Sequence, residues 1–246
     1  MRITIVFILL AITGCASQPT LNKQFQDNIR IGVVYPEVNG CFEHNHTGHT
    51  AFNNFNRSYQ NPFNWNKEIQ KAFQVVTSNN GDTVIFIDNV NMQKPTGSIF
   101  DVNWWSGKYT VKPENEAMFQ AIISNNDLDI LVFSTTFGYG ERASDCFTYD
   151  VETDARKREV AVLSPEYFLV VDAQNINSSV STIGVYGEIV DGYYPENIQE
   201  LSSSDLEIIN KYIRRQLIDS VRLLYKQSGM GEKEFTPKTV PTYFYM

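Results

Sequence analysis

Three short apolar segments, rich in β-branched residues, constrain the fold of this 246-residue chain more than any other feature. They cover residues 29–35, 83–87 and 129–135. Continuous hydrophobicity of this kind is typical of strands that are buried on both faces. Between them, apolar residues recur at helical spacing in residues 67–79 and again in a helix that begins at Pro113. Because helices connect the strands, we expect parallel pairing with right-handed connections.

The second half of the chain has a different pattern. Three segments are typical of antiparallel strands or of one long bent strand, and a fourth follows a turn: residues 145–152, 159–163, 167–173 and 180–190. An apolar stripe from Leu206 to Leu224 then predicts a long helix, which begins at a Ser204–Glu207 capping box and ends near Gly229. This helix is expected to pack on the sheet, and a coiled coil with a partner helix is the alternative.

These patterns together predict the α/β class. We expect a single domain over residues 29–246, with a mixed sheet that starts as strand-helix-strand-helix-strand and continues as an antiparallel hairpin. Two segments show no clear period and are predicted as long loops, residues 39–66 and 89–112.

The amino terminus resembles a bacterial lipoprotein signal. Arg2 precedes an apolar run too short to span a bilayer comfortably, and Ile12-Thr13-Gly14-Cys15 matches the lipobox. The resemblance implies that residues 1–14 are a signal peptide and that Cys15 carries a diacylglycerol and a further acyl chain such as palmitate. No aspartate follows Cys15, which implies the periplasmic face of the outer membrane. The alternative is an ordinary secretory signal.

Residues 15–28 are polar and without periodicity, so they are predicted to be a lipidated tether. Fully extended, such a segment reaches roughly 40 Å, which keeps the folded body close to the membrane. The chain carries 20 Lys and Arg against 28 Asp and Glu, a net charge of −8. An acidic chain repels nucleic-acid backbones and anionic lipid surfaces, and no basic stripe is evident in the sequence. Nucleic acid is therefore not expected as a partner.

Two cysteines remain beside Cys15. Because the periplasm is oxidising, Cys41 and Cys146 predict a disulfide. Cys41 follows the first predicted strand and Cys146 the third, so both would lie at the carboxyl edge of a parallel sheet. Buried free thiols, or metal ligation by Cys41, are the alternatives.

All three histidines fall within the nine residues from Cys41 to His49, at His44, His46 and His49. An extended His-x-His places both rings on one face, where they can bind zinc or copper. Other interpretations are a pH-responsive loop and a plain surface loop. Cofactors are otherwise not expected.

The two long loops are also rich in aromatic residues. Trp104, Trp105 and Tyr109 in the second loop are candidates for binding a partner protein or a sugar. The first loop contributes Phe52, Phe55, Tyr59, Phe63 and Trp65. The alternative is that these side chains cover the sheet as a satellite core.

We found no catalytic motif. The sequence lacks a nucleophile elbow, a Ser-x-x-Lys pair, a His-Glu-x-x-His helix and a Cys-His arrangement. The glycines of residues 137–140 lack the lysine of a phosphate loop, and Asp150, Glu152 and Asp154 are expected to face water. The chain is therefore not expected to be an enzyme.

The order of elements resembles the periplasmic domains of three envelope proteins: the curli-secretion lipoprotein, the amino-terminal domain of the Tol-system propeller protein, and lipoprotein activators of penicillin-binding proteins. Residues 172–175, Asp-Ala-Gln-Asn, are similar to the Asp-Ala-x-Thr-Gly turn of those hairpins, although Asn-Ile-Asn-Ser-Ser replaces the Thr-Gly. The resemblance implies a docking or accessory component of an envelope assembly. The alternative is a metal-binding or glycan-binding lipoprotein, and the oligomeric state is open.

Overall fold

The computed structural model describes residues 28–34, 41–47, 54–60, 64–88, 99–103, 108–136, 147–153, 158–163, 166–176, 181–184, 188–189 and 200–231. The described strands are, in chain order, β1 (Arg30–Val34), β2 (Cys41–Thr47), β3 (Phe55–Gln60), β4 (Thr83–Ile87), β5 (Phe100–Asn103), β6 (Lys108–Val111), β7 (Ile130–Thr136), β8 (Phe147–Thr153), β9 (Arg158–Leu163), β10 (Glu166–Asp172), β11 (Ser181–Gly184) and β12 (Glu188–Ile189). The described helices are α1 (Trp65–Asn80), α2 (Pro113–Asn126) and α3 (Ser203–Ser228).

The α/β class and the mixed sheet are confirmed. Sheet A has the order β11-β10-β7-β1-β4, in which β1 pairs in parallel with both β4 and β7. β10 is antiparallel to β7 and to β11. The chain therefore starts with the expected strand-helix-strand-helix-strand unit, β1-α1-β4-α2-β7. β4 and β7 flank β1 on opposite sides, so the two connecting helices lie on opposite faces of the sheet.

One face of sheet A is covered by α1 and α3. Ile31 and Val33 of β1 point to this face and belong to a core cluster with Phe73 of α1 and Ile213 of α3. The long carboxy-terminal helix thus packs on the sheet as predicted. The buried stripe of α3 consists of apolar residues spaced three or four apart: Ile209, Ile213, Leu217, Val221 and Leu224.

The other face of sheet A is covered by α2 and the β5-β6 hairpin. Phe119 of α2 packs on Phe133 of β7 with ring centroids 5.1 Å apart. In this helix Phe119 is buried, whereas Ala121 is exposed. Gly32 lies under this layer, where a Cβ atom would sit 2.5 Å from Leu128 Cδ1. The glycine therefore allows the close packing of this layer on β1.

The helix ends follow local sequence chemistry. Gly81 and Gly229 end α1 and α3 with the positive φ angles of 76° and 73° that glycine tolerates. The capping box of α3 lies two residues earlier than predicted, at Ser202 and Asp205 instead of Ser204 and Glu207. The Ser-x-x-acid spacing of a capping box occurs at both positions in the sequence. In the structure, the side chain of Ser202 accepts the hydrogen bond from the Asp205 amide.

A second sheet occupies part of the segment predicted as a loop over residues 39–66. Sheet B has the order β12-β9-β8-β2-β3, and β2 and β3 are its antiparallel hairpin. Likewise β5 and β6 form a hairpin within residues 89–112. β2 was missed because its period of two is carried by Phe42, His44 and His46, and histidine does not register as apolar.

Candidate functional site

Sheet B is built from chain that leaves one edge of sheet A. β2 and β3 follow the carboxyl end of β1, and β8 and β9 follow the carboxyl end of β7. β12 follows β11, which runs in the same direction as β7 because both are antiparallel to β10. In addition, β2 and β8 are parallel neighbours, as β1 and β7 are. Open α/β sheets bind their ligands outside the carboxyl ends of such strands, where successive connections diverge. Sheet B begins at this position.

His44 and His46 lie on one face of β2, as the alternation of a strand requires. They are buried, with 0% and 8% of their surfaces exposed. Phe55 of β3 packs against both rings, at centroid distances of 5.0 Å in each case. The interpretation of these two histidines as residues of a plain surface loop is therefore wrong. Their burial arises because β3 places the Phe55 ring against them.

The histidine pair is joined to the main core through Tyr59. The ring of Tyr59 lies 6.2 Å from that of His44 and packs against the core cluster under α1 and α3. Its hydroxyl accepts a hydrogen bond of 3.1 Å from the Leu201 amide, just before α3. Sheet B and the segment just before α3 are thus held together next to the histidines.

Burial lowers the pKa of His44 from its ordinary value of 6.5 to about 4. The positive charges of His46 and Arg57 act in the same direction, because each disfavours a second cation nearby. Arg57 lies over the Phe55 ring, 5.6 Å from its centroid. His44 is therefore neutral at neutral pH, and the neutral imidazole is the form that binds metal ions.

The predicted metal site is described only in part. His44 and His46 share a face, whereas His49 lies outside the described residues and so does the side chain of Cys41. Within the described part of the chain, no group of three or more His, Cys, Asp or Glu side chains is placed to hold a metal ion. Zinc or copper binding stays a prediction.

The predicted disulfide has one partner on β2. Cys41 is the first residue of this strand, and Cys146 lies outside the described residues, as Cys15 does. The register of the parallel β2-β8 pair places Phe42 opposite Phe147. Each of these phenylalanines directly follows one of the two cysteines in the sequence.

The structure describes the side chains of some of the aromatic candidates but not of others. Trp104 and Trp105 lie outside the described residues. Tyr109, on β6, is half-buried and packs against the core cluster beneath α2. Of the first loop, Phe55 and Tyr59 are also packed inward. The three described side chains therefore belong to the core, as the satellite-core interpretation expects.

The outer face of α3 carries a row of basic residues that the sequence analysis missed. They recur at spacings of three, four or seven, so they share the side of the helix opposite its apolar stripe: Lys211, Arg214, Arg215, Arg222 and Lys226. All are exposed except Arg222, which is half-buried. The expectation that the chain has no basic stripe is therefore wrong. The net charge of −8 concealed it, and a test of α3 for charge periodicity would have found it.

Helix α1 packs beside α3 and extends the basic surface. The carboxylate of Glu68, with a side chain 9% exposed, lies 2.8 Å from Lys71 Nζ and 3.2 Å from Arg214 Nε. These three residues line a groove of about 410 Å³ between the helices, whose apolar lining is Ala72, Val75 and Ile218. Val75 is 45% exposed. We call the outer surface of α1 and α3 the basic helical face.

Comparison with known proteins identifies no relative: no protein-family model matches the chain, and no curated protein matches it. Among the described residues, no helix is long and apolar enough to cross a membrane. The geometry and the sequence motifs therefore carry the functional argument.

Proposed function

We propose that this protein is a lipoprotein of the bacterial outer membrane that faces the periplasm and serves as a non-enzymatic docking or accessory component of an envelope assembly. The observation that carries the location is the lipobox Ile12-Thr13-Gly14-Cys15 behind a short apolar run. Acyl chains on Cys15 would hold the folded body at the membrane surface, within the reach of a tether of about a dozen residues.

The architecture supports docking over catalysis. In open α/β sheets that act as enzymes, short loops at the carboxyl edge leave a crevice for the substrate. Here the chain leaving β1 and β7 continues into β2 and β8, which pair with each other and with three further strands. A sheet presents a broad surface, and broad surfaces suit protein partners.

The proposal is tested in the native host by labelling with a palmitate analogue and by fractionating the membranes. We expect label on the wild-type protein in the outer-membrane fraction and no label on a Cys15→Ala variant. Affinity capture after crosslinking should then recover the lipoprotein with a reproducible envelope partner. A protein that is found unlabelled and soluble refutes the location, and repeated recovery of the chain alone refutes the docking role.

The alternative is a metal-binding lipoprotein, favoured by one observation. His44 and His46 are adjacent on one strand face and His44 is held neutral, which is the state that a metal ion requires. Calorimetric titration with zinc and with copper(II) tests it, using the wild type and a His44→Ala, His46→Ala, His49→Ala triple variant. Tight binding by the wild type alone, with no protein partner captured, would favour this function. Equal behaviour of the two proteins refutes it.

A glycan ligand for Trp104, Trp105 and Tyr109 is a further version of this alternative. Of the three, the described residue Tyr109 packs inward, which does not favour it.

A further inference from the structure

We propose that the basic helical face of α1 and α3 binds the anionic lipid surface to which the protein is anchored, so that the folded body lies with these helices toward the bilayer. The choice of lipid as the occupant rests on the proposed lipid anchor. The cationic character of the surface does not rest on that anchor.

Charge is strongly segregated in this chain. Helices α1 and α3 together carry seven Lys and Arg residues against four Asp and Glu, a net charge of +3. The whole chain has a net charge of −8, so the remaining residues carry −11. A positive face on a protein this acidic orients the molecule in the field of an anionic surface, because the rest of the molecule is repelled.

On α3, Glu207 lies 3.9 Å from Lys211 and Asp219 lies 3.5 Å from Arg222, and the helix keeps a net charge of +2. The helix is 26 residues long, and its basic residues follow the solvent side over most of that length. The side chains of Lys211 and Arg214 are 67% and 46% exposed. Arg215 lies over the ring of Tyr212, 5.1 Å from its centroid, which holds its guanidinium at the surface. Because the apolar stripe of α3 is buried on sheet A, the outer row acts on an anionic surface through its charge.

The groove between the helices adds an apolar component. Lys71 and Arg214 stand beside Ala72, Val75 and Ile218, of which Val75 is exposed, Ile218 half-buried and Ala72 buried, so the cations adjoin a small apolar surface. The boundary between lipid headgroups and acyl chains has the same pairing of anionic phosphates with hydrocarbon. Glu68 neutralises part of the charge and is itself almost buried.

The described chain starts at the end of the basic helical face where α1 and α3 terminate. The amide of Ile29 donates to Asp82 Oδ1 at 2.9 Å, two residues after α1 ends. Beside it, the backbone of Gly231 lies close to Asn80, so α3 also ends there. The described chain therefore begins next to the carboxyl ends of both helices. A short tether from the membrane would bring the basic helical face near the lipid headgroups.

The test uses the chain from Ala16 onward, which retains all described elements and cannot be acylated at Cys15. It is mixed with vesicles of equal parts phosphatidylglycerol and phosphatidylcholine, and with vesicles of phosphatidylcholine alone, at low salt. We expect co-sedimentation with the anionic vesicles only, and release as salt is raised. Each basic residue near an anionic surface contributes roughly fivefold to partitioning, so a Lys211→Gln, Arg215→Gln variant should bind about 25-fold more weakly.

A matched control variant distinguishes binding by the basic helical face from an effect of the lower net charge. The Ala117→Glu, Gln120→Glu variant lowers the net charge by the same two units at exposed positions of α2, on the other face of sheet A. It should retain most of the binding, and circular dichroism confirms that both variants are folded. Equal losses in the two variants, or no binding by the wild type, overturn the proposal.

Two further outcomes are informative. If the wild type binds duplex DNA but not anionic vesicles, and the α3 variant loses that binding, the face is a nucleic-acid site and the lipid proposal is overturned. Vesicle binding by this unacylated chain does not depend on processing at Cys15. An unmodified Cys15 in the native host would therefore refute the proposed function and leave the vesicle result standing.

Discussion

Acidification should destabilise the protein through His44, and the lowered pKa of this histidine gives the sign and the approximate size of the effect. The pKa of this histidine is 6.5 in the unfolded chain and about 4 in the fold, where it is buried beside His46 and Arg57. Below pH 6.5 the unfolded state binds a proton that the folded state does not, so stability falls with falling pH until both states are protonated below about pH 4.

The magnitude follows from the two pKa values. Relative to neutral pH, linkage predicts a loss of about 2 kcal/mol at pH 5 and about 3 kcal/mol at pH 4 from this one residue. A typical domain has a total stability of about 5–15 kcal/mol, so such a loss is readily measured.

Other groups also titrate in this range, and a His44→Phe variant isolates the histidine. Phenylalanine has a similar ring, and the site is already lined by Phe55 and Tyr59. Urea unfolding, followed by tryptophan fluorescence, gives the free energy of unfolding of both proteins at pH 7, 5 and 4. The difference, wild type minus variant, should decrease by the amounts above as the pH falls. A difference that does not change with pH would refute the argument that His44 is buried and neutral.

Three further predictions concern packing, capping and covalent structure. Gly32→Ala should lower the free energy of unfolding by about 1–3 kcal/mol in urea titrations, because its Cβ would meet the Leu128 side chain at 2.5 Å; an unchanged midpoint would contradict this contact. Ser202→Ala should cost about 1 kcal/mol in the same assay through loss of the α3 cap, whereas alanine at the neighbouring Ser203 should cost much less. Mass spectrometry without reductant should find no alkylatable thiol at Cys41 or Cys146 in protein from the periplasm, because the β2-β8 register aligns the residues that follow them; two free thiols would exclude the bridge.

Local sequence patterns were sufficient to predict the parallel strands of sheet A and the helices that connect them. The strands β1, β4 and β7, the bounds of α1 and the start of α2 were predicted within one or two residues, because buried parallel strands and amphipathic helices leave strong periodic signals. The strands of sheet B were not predicted around His44 and His46. Their rings become buried only when Phe55 pairs across from them, and a pairing partner is not visible in a window of a single strand.

Of the candidate sites, the sequence placed His44 and His46 on one face correctly, since alternation in an extended segment is a local property. It did not give their burial or the low pKa of His44, which depend on β3 and on Arg57. Nor did it give the basic helical face. The periodicity of charge on α3 was present in the sequence. The contact of Arg214 with Glu68, which also contacts Lys71, requires α1 and α3 to pack side by side.

The sequence by itself determined the lipobox motif, the order of buried strands and amphipathic helices, and the positions where Gly81 and Gly229 end their helices, because each of these is set by residues within a few positions of one another. Only the tertiary structure decided that a second sheet begins at the carboxyl edge of the first, that two histidines are buried in it, and that two helices with a net positive charge pack side by side in an acidic chain. The physical reason is that burial, strand register and electrostatic fields depend on contacts between distant segments. His44 and its register partner Tyr149, for example, are about a hundred residues apart in the chain.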